Sequence, residues 1–297
     1  MKIKKYLWAI CYGALLAAFS VYVLLDTFVI VRVLEPEATE APSVQTTLPQ
    51  LDTPVITENS YRDSNISITL TQRRVGDTTV YITDVQLAAP EYLRTALAKG
   101  SYGRNVTQKT SEIAAGVDAI LAINGDFYGA REAGYVIRNG KLYRSEAMED
   151  REDLVIGADG NFSIIEEEKV SADALFSSGA RQVLSFGPAL VVDGKIAVAQ
   201  NEEVDQAMRN NPRTAIAQVG PLHYLLVVSD GRTKESQGLS LYELAHFLTT
   251  LDVQTAYNLD GGGSATMVFM GKVINNPTTN GKTIKERSVS DIVCIGY

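Results

Sequence analysis

Three features of this 297-residue sequence predict an α+β fold of mixed β-sheets with few helices, preceded by a single N-terminal transmembrane helix. Apolar and polar residues alternate through many short segments after Tyr61, the period of half-buried strands. Helical periodicity is confined to a few stretches, the clearest beginning at Ser240. Tyr6 to Leu25 carries no charge, and about twenty such apolar residues suffice to cross a bilayer as a helix.

In chain order, residues 1–5 read as a cytoplasmic tail and 6–34 as a transmembrane signal-anchor. The apolar stretch is longer than the core of a cleavable signal peptide and lacks a small-x-small exit. Lys2, Lys4 and Lys5 precede it, while Glu35, Glu37 and Glu40 follow. That asymmetry places the N-terminus inside and the body outside, as a single-pass protein of the cell membrane. Residues 35–60 carry Pro36, Pro42, Pro49 and Pro54 among Thr, Glu and Gln, the composition of a flexible linker. Residues 61–297 form the extracytoplasmic domain. Ile66, Ile68 and Leu70 alternate before a Gly76-Asp77 turn, with Val80, Ile82, Val85 and Leu87 beyond it. Ala119 to Ile123 reads as a buried strand, and Val183 to Val192 and His223 to Ser229 as further strands. Asn139-Gly140 and Asp193-Gly194 suit tight hairpin turns. Ser240 and Glu243 form a capping box ahead of Leu241, Leu244, Ala245, Leu248 and Leu251, and Thr110 to Ala115 and Ser171 to Phe176 are shorter helices.

With 45% apolar residues the chain can fill one large core or two intimate ones, and a net charge of −8 opposes any nucleic-acid partner gripped through its phosphates. Its two cysteines, Cys11 in the span and Cys294 near the end, cannot pair within the exported domain or build a zinc cluster. His223 and His246 lack a serine or cysteine nucleophile pattern, so hydrolytic chemistry rests on carboxylates.

The strongest signal for a site is Asn258-Leu-Asp-Gly-Gly-Gly-Ser264, where a strand runs into Asp260 and three glycines. Three glycines exceed the needs of a hairpin, and Gly261, Gly262 and Gly263 would bring backbone N–H groups to a ligand. A nucleotide P-loop is excluded because no lysine follows them and Ala265 to Met270 reads as strand. Asn124-Gly-Asp126, Arg213-Thr214-Ala215 and Ser229-Asp230-Gly-Arg232 likewise end apolar strands on polar loops. Arg213 and Arg232 suit a phosphate because guanidinium forks bind it bidentately, and Arg287 with Asp291 either joins the site or forms an ion pair. No cofactor is implied; a hard divalent cation is an alternative occupant for Asp126, Asp230 and Asp260.

Taken in order, Ala122-Ile-Asn-Gly-Asp-Phe-Tyr128, Phe186-Gly-Pro-Ala-Leu190, Arg213-Thr-Ala-Ile216, Ser229-Asp-Gly-Arg232, Asn258 to Met267 and Glu286-Arg287 resemble the phosphodiester glycosidase family, related to the uncovering enzyme. The resemblance covers about Val80 to Tyr297 and implies hydrolysis of a sugar-1-phosphodiester of the N-acetylglucosamine-1-phosphate type, in a cell-envelope glycan or exopolysaccharide. It implies Asp260 as the central carboxylate and Asp126 or Asp230 as the second. Arg213 and Arg232 hold phosphate, Asn124 and Asn258 position the sugar, and Thr214, Ser264 and Arg287 complete the pocket. Two readings from other classes use the same pocket: a non-catalytic module for phosphorylated envelope polymers, and a glycosyl transferase. Carboxylates converging near the arginines favour catalysis, and an isolated Asp260 favours binding.

Overall fold

The computed structural model describes residues 3–37, 53–203 and 210–297. Most of the expected linker, residues 38–52, and the first two residues of the tail lie outside these described residues.

Helix α1, Ile3–Phe28, contains a 21-residue segment, Trp8–Phe28, long and apolar enough to cross a membrane. It stops short of the expected residue 34. Val29 to Val33 is rich in β-branched residues, which favour extended backbone, and Arg32–Val33 pairs antiparallel with Gly103–Arg104. The body begins before Tyr61, since Val55–Ile56 already pairs with residues 60–62.

Beyond α1 the described residues are mostly β, with three short helices: α2 (Thr110–Gly116), α3 (Ala172–Ser177) and α4 (Leu241–Thr249). A nine-stranded sheet runs in the order 195–196, 189–192, 255–259, 213–220, 223–229, 78–87, 66–75, 60–62 and 55–56. A second sheet has five strands in the order 272–273, 267–269, 121–124, 291–295 and 93–97. A third also has five, in the order 141–144, 136–138, 182–184, 152–156 and 162–166. Every strand pairing among the described residues is antiparallel, which suits the short hairpin connections.

Strand period explains how these layers pack. Ile66, Ile68, Tyr81 and Ile216 of the nine-stranded sheet meet Leu121, Ile123 and Val293 of the second and Leu154 and Leu184 of the third in one shared core. The opposite faces are each covered by one helix. Val80, Ile82, Ala215 and Ala217 lie under α4, Ala122, Ile292 and Cys294 under α2, and Ile137, Val155 and Val183 under α3. Burial on both faces is why Ala119 to Ile123 reads as a continuous apolar run.

The expected strand Val183 to Val192 is instead two strands in different sheets, Gln182–Leu184 and Ala189–Val192. Gly187, at φ +75°, and Pro188 turn the chain between them. Asn139-Gly140 and Asp193-Gly194 have positive φ at both residues, as two-residue hairpin turns of the I′ kind require.

Candidate active site

Antiparallel register gathers the polar loops at one end of the nine-stranded sheet. Thr214 pairs with Leu259, and Arg213 with Ser229, so the starts and exits of three adjacent strands carry Arg213, Asp260 and Asp230 to the same edge. Strand 121–124 of the second sheet delivers Asn124-Gly125-Asp126 beside them. The join is hydrogen-bonded: Asn124 Nδ2 donates to the Asp260 carbonyl (2.5 Å), and Asp260 N–H donates to the Gly125 carbonyl (3.2 Å).

Two adjoining cavities share Asp260 and Arg287 in their walls. One of about 170 Å³ is bordered by Phe186, Asn211, Arg213, Arg232 and Asn258, with Gly261 and Gly262. The other, of about 270 Å³, has Asp126, Phe127, Ser264 and Arg104 in its wall, together with Thr27 and Phe28 from the end of α1. Larger hollows of about 500 and 480 Å³ lie elsewhere and contain none of the sequence-predicted site residues.

Asp260 retains partial exposure at the junction of the cavities. Burial pushes its pKa above the ordinary carboxylate value, against a Ser264 hydrogen bond, the Arg287 charge and the Gly261 N–H, which all pull it down. Arg232 is lowered by burial and then by the nearby Arg287 charge; Arg213 is lowered by burial, and Arg232 adds to that while Glu203 opposes it. Arginines do not shed their protons at neutral pH, so their mutual repulsion favours an anion between them. Arg213 Nη2 donates to Glu203, whereas Arg232 spans Asn211 Oδ1 (2.9 Å) and the Thr279 carbonyl (2.7 Å). Arg287, exposed, reaches Ser264 Oγ at 3.4 Å.

The other predicted residues are brought close but hold different positions. Asp126 lines the larger cavity yet is almost wholly buried. Its Oδ1 accepts from Tyr128 N–H (2.8 Å), and its Oδ2 from Arg138 Nη2 (2.7 Å) and Ser185 N–H (3.1 Å). Burial alone would raise its pKa, but the Arg138 charge and these donors outweigh it and leave the group depressed. With its lone pairs engaged, Asp126 positions the 124–128 loop and does not face the cavity as a free base. Asp230 borders neither cavity. It accepts from Asn276 N–H (2.8 Å), Asn276 Nδ2 (2.9 Å) and Tyr81 Oη (3.3 Å), pinning the loop at residues 275–276.

Asn124 is fully buried and joins sheets instead of facing a sugar: its Oδ1 accepts from Thr214 Oγ1 (2.8 Å) and Thr266 N–H (3.1 Å). Thr214 is consumed by that bond. Asn258 is closer to expectation. Its Nδ2 donates to the Gly187 carbonyl (2.8 Å), its Oδ1 is buried without a hydrogen-bond partner, and the residue borders the smaller cavity.

Of the three glycine amides expected to form a cradle, those of Gly261 and Gly262 have partners within the chain. Gly262 N–H donates to the Pro212 carbonyl, Ser264 N–H to the Gly261 carbonyl, and Gly261 N–H faces the Asp260 carboxylate. Close approach explains the glycines here. A Cβ on Gly263 would lie 2.3 Å from Thr279 Oγ1, and one on Gly262, whose φ is +59°, 2.9 Å from Arg232 Nη2.

Sequence reasoning missed Arg138. This buried residue bridges Asp126 and Asp291, its Nε donating to Asp291 Oδ2 at 2.8 Å. An arginine closing the apolar run Tyr135-Val-Ile137 is the signal that could have found it. Arg131 was also missed, though its guanidinium carbon lies 5.3 Å from the centre of the Phe186 ring. Among the described residues no three His, Cys, Asp or Glu side chains cluster as metal ligands, and Asp126, Asp230 and Asp260 do not form such a set.

The sequence model of the phosphodiester glycosidase family matches residues 118–296, a span containing Asp126, Arg213, Arg232, Asp260 and Arg287. The chain belongs to this family. Among relatives, the SPbeta prophage-derived uncharacterized protein YomE of Bacillus subtilis is 32% identical over 186 residues, covering 60% of this chain and 28% of that protein. The N-acetylglucosamine-1-phosphodiester alpha-N-acetylglucosaminidase of Mus musculus is 30% identical over 213 residues, covering 65% of this chain and 40% of the enzyme. The chain thus spans less than half the length of these curated relatives. The family fold extends to solved structures. The zebrafish N-acetylglucosamine-1-phosphodiester alpha-N-acetylglucosaminidase catalytic domain, auto-inhibited by its pro-peptide, superposes with a TM-score of 0.62 at 21% identity, over 78% of this chain and 83% of that one. A hypothetical protein from Synechocystis gives 0.60 at 16% identity, over 78% and 62%.

Proposed function

We propose that this phosphodiester glycosidase family member hydrolyses a sugar-1-phosphodiester of the N-acetylglucosamine-1-phosphate type in an envelope glycan or exopolysaccharide. It works outside the cell, tethered by α1. The observation that carries this reading is Asp260 set between cavities whose walls also hold Arg232 and Arg287. Its enzymatic relatives, named for this reaction class, support it.

The phosphate binds between Arg232 and Arg287, and Asn258 positions the sugar. Asp260, as carboxylate, takes a proton from the attacking water. The water oxygen bonds to the anomeric carbon, the carbon–oxygen bond to phosphate breaks, and its electron pair leaves on the phosphomonoester. Asp126 and Asp230 are engaged elsewhere, which leaves Asp260 alone at the arginines, the arrangement that on sequence grounds favours binding. Catalysis stays with one carboxylate because the phosphomonoester, with a second pKa of about 6, leaves without a strong general acid. The arginines stabilise the charge that develops on the departing oxygen.

Free reducing sugar released from a panel of sugar-1-phosphodiesters tests the reading. Asp260→Asn should lower kcat by roughly 10²–10⁴ with little change in KM, the range of a lost acid–base group. Binding without release by the unaltered protein would support the non-catalytic module instead, and unchanged turnover in the variant would remove Asp260 from the mechanism.

A further inference from the structure

The larger cavity is closed on one side by the end of the membrane helix. Thr27 and Phe28 share its wall with Asp260, Asp126 and Arg287. Asn105 Nδ2 fixes that end by donating to the carbonyls of Thr27 (3.2 Å) and Ile30 (3.1 Å). The next residues are clamped to the body: 32–33 pair with 103–104, and Leu34 N–H donates to the Tyr102 carbonyl at 2.9 Å. Gly103 permits this approach, because a Cβ there would lie 2.0 Å from the Arg32 carbonyl oxygen. The anchor is therefore docked before the expected linker begins, and nothing flexible separates the cavity from the end of the span.

Trp8–Phe28 has 21 residues. At 1.5 Å per residue such a helix is about 31 Å long, close to the thickness of a bilayer's hydrocarbon core. Phe28 then lies at the hydrocarbon edge, and the cavity it borders opens at headgroup depth. The wall suits a molecule with two characters. Phe28 and Phe127 are large exposed apolar side chains, whereas Arg104, Arg287 and Asp260 supply charge.

We infer that the site takes a sugar-1-phosphodiester whose second ester arm is a lipid embedded in the bilayer that α1 crosses. This rests on the glycosidase reading above and names its substrate class. The sugar and phosphate reach Asp260 and Arg287, while the lipid arm leaves past Phe28 and Phe127 into the membrane. A diester within a soluble polymer would have to be drawn down to the bilayer surface.

The test uses the full chain reconstituted in phosphatidylcholine vesicles with two N-acetylglucosamine-1-phosphate diesters, a hexadecyl ester in the same bilayer and a methyl ester in solution. A second protein carries about twenty Gly/Ser residues inserted between Leu25 and Asp26, a spacer of roughly 25 Å. It lifts the cavity while Thr27, Phe28 and the clamp at 32–34 stay on the body side of the spacer. The expected result is at least tenfold higher kcat/KM for the hexadecyl ester. The insertion should abolish that advantage and leave methyl-ester turnover within twofold. Equal rates for the two esters, or an insertion without effect on the hexadecyl ester, would overturn the lipid assignment while the glycosidase reading stands. Hydrolysis of neither ester would overturn both.

Discussion

Arg287 acts on both cavities at once: its charge lowers the Asp260 pKa, and it also depresses Arg232. Removing it should therefore move two observables in known directions. In Arg287→Ala the carboxyl loses a favourable charge, so the acid limb of kcat/KM shifts to higher pH. Loss of the proposed phosphate contact should raise KM by roughly 10- to 100-fold, since a charge-assisted hydrogen bond contributes about 1.5–3 kcal/mol. A pH–rate profile with an unmoved acid limb would break the link between Arg287 and Asp260. The buried Asp126–Arg138–Asp291 group makes a second residue-scale prediction. Burial pushes Asp291 up to about 7, assisted by the Asp126 charge and opposed by Arg138. A carboxyl raised in the folded state binds its proton more tightly there. Its stabilising contribution is full below its ordinary value of 3.8 and is lost as pH rises through about 7. Asp126 has the opposite sign, contributing above its ordinary value and losing that contribution only in acid. Asp291→Asn should accordingly gain on the unaltered protein between pH 5 and pH 8, by about 2 °C or more in Tm. Parallel Tm curves for the two proteins across that interval would refute the assignment.

At the scale of elements, α4 closes the outer face of the nine-stranded sheet with Leu241, Leu244, Ala245 and Leu248. Its start is set by a capping box: Glu243 N–H donates to Ser240 Oγ (3.1 Å), and Ser240 N–H to Glu243 Oε2 (2.8 Å). Ser240→Ala should cost about 1 kcal/mol. In a domain of this size that is a fall of roughly 2–4 °C in Tm, with activity at 25 °C intact because α4 borders neither cavity. Loss of activity without loss of stability would give α4 a part in the site. This helix was legible because its cap and apolar face lie within twelve residues of sequence, as were the hairpins at Asn139-Gly140 and Asp193-Gly194. The break between residues 184 and 189 was not, because Val183 to Val192 is apolar enough at both ends to mask a change of sheet at Gly187-Pro188. Nor was the role of Arg138, whose partners are 12 and 153 residues away. Local chemistry writes turns and caps into the sequence, whereas a buried ion pair is defined by chain segments that only the fold brings together.

Across the whole molecule, the motifs marked the loops of the site but not how they are fastened to one another. Asp260, Arg213 and Arg232 were readable as strand exits with charge. That Asn124 ties two sheets instead of facing a sugar depends on Thr214 and Asp260, which are 90 and 136 residues away. The three sheets share one apolar core, so heat should unfold them in a single transition despite their separate helices. Asn124→Ala tests how far the polar staple contributes. It removes the acceptor for buried Thr214 Oγ1 and Thr266 N–H and the donor to the Asp260 carbonyl. Unsatisfied buried groups cost about 1–3 kcal/mol each, so a total of roughly 3–5 kcal/mol is expected, and Tm should fall by about 6–20 °C. Thr214→Val removes only one donor and leaves the Asn124 acceptor bonded to Thr266, so its loss should be nearer 1 kcal/mol, about that of one hydrogen bond. Because the staple also holds the Asp260 backbone, Asn124→Ala should lower kcat even where the protein is fully folded, while Thr214→Val should not. Scanning calorimetry of both variants decides whether the molecule is one cooperative unit. A second transition in Asn124→Ala would show that the two sheets meeting at the site are held together by this asparagine more than by the shared core.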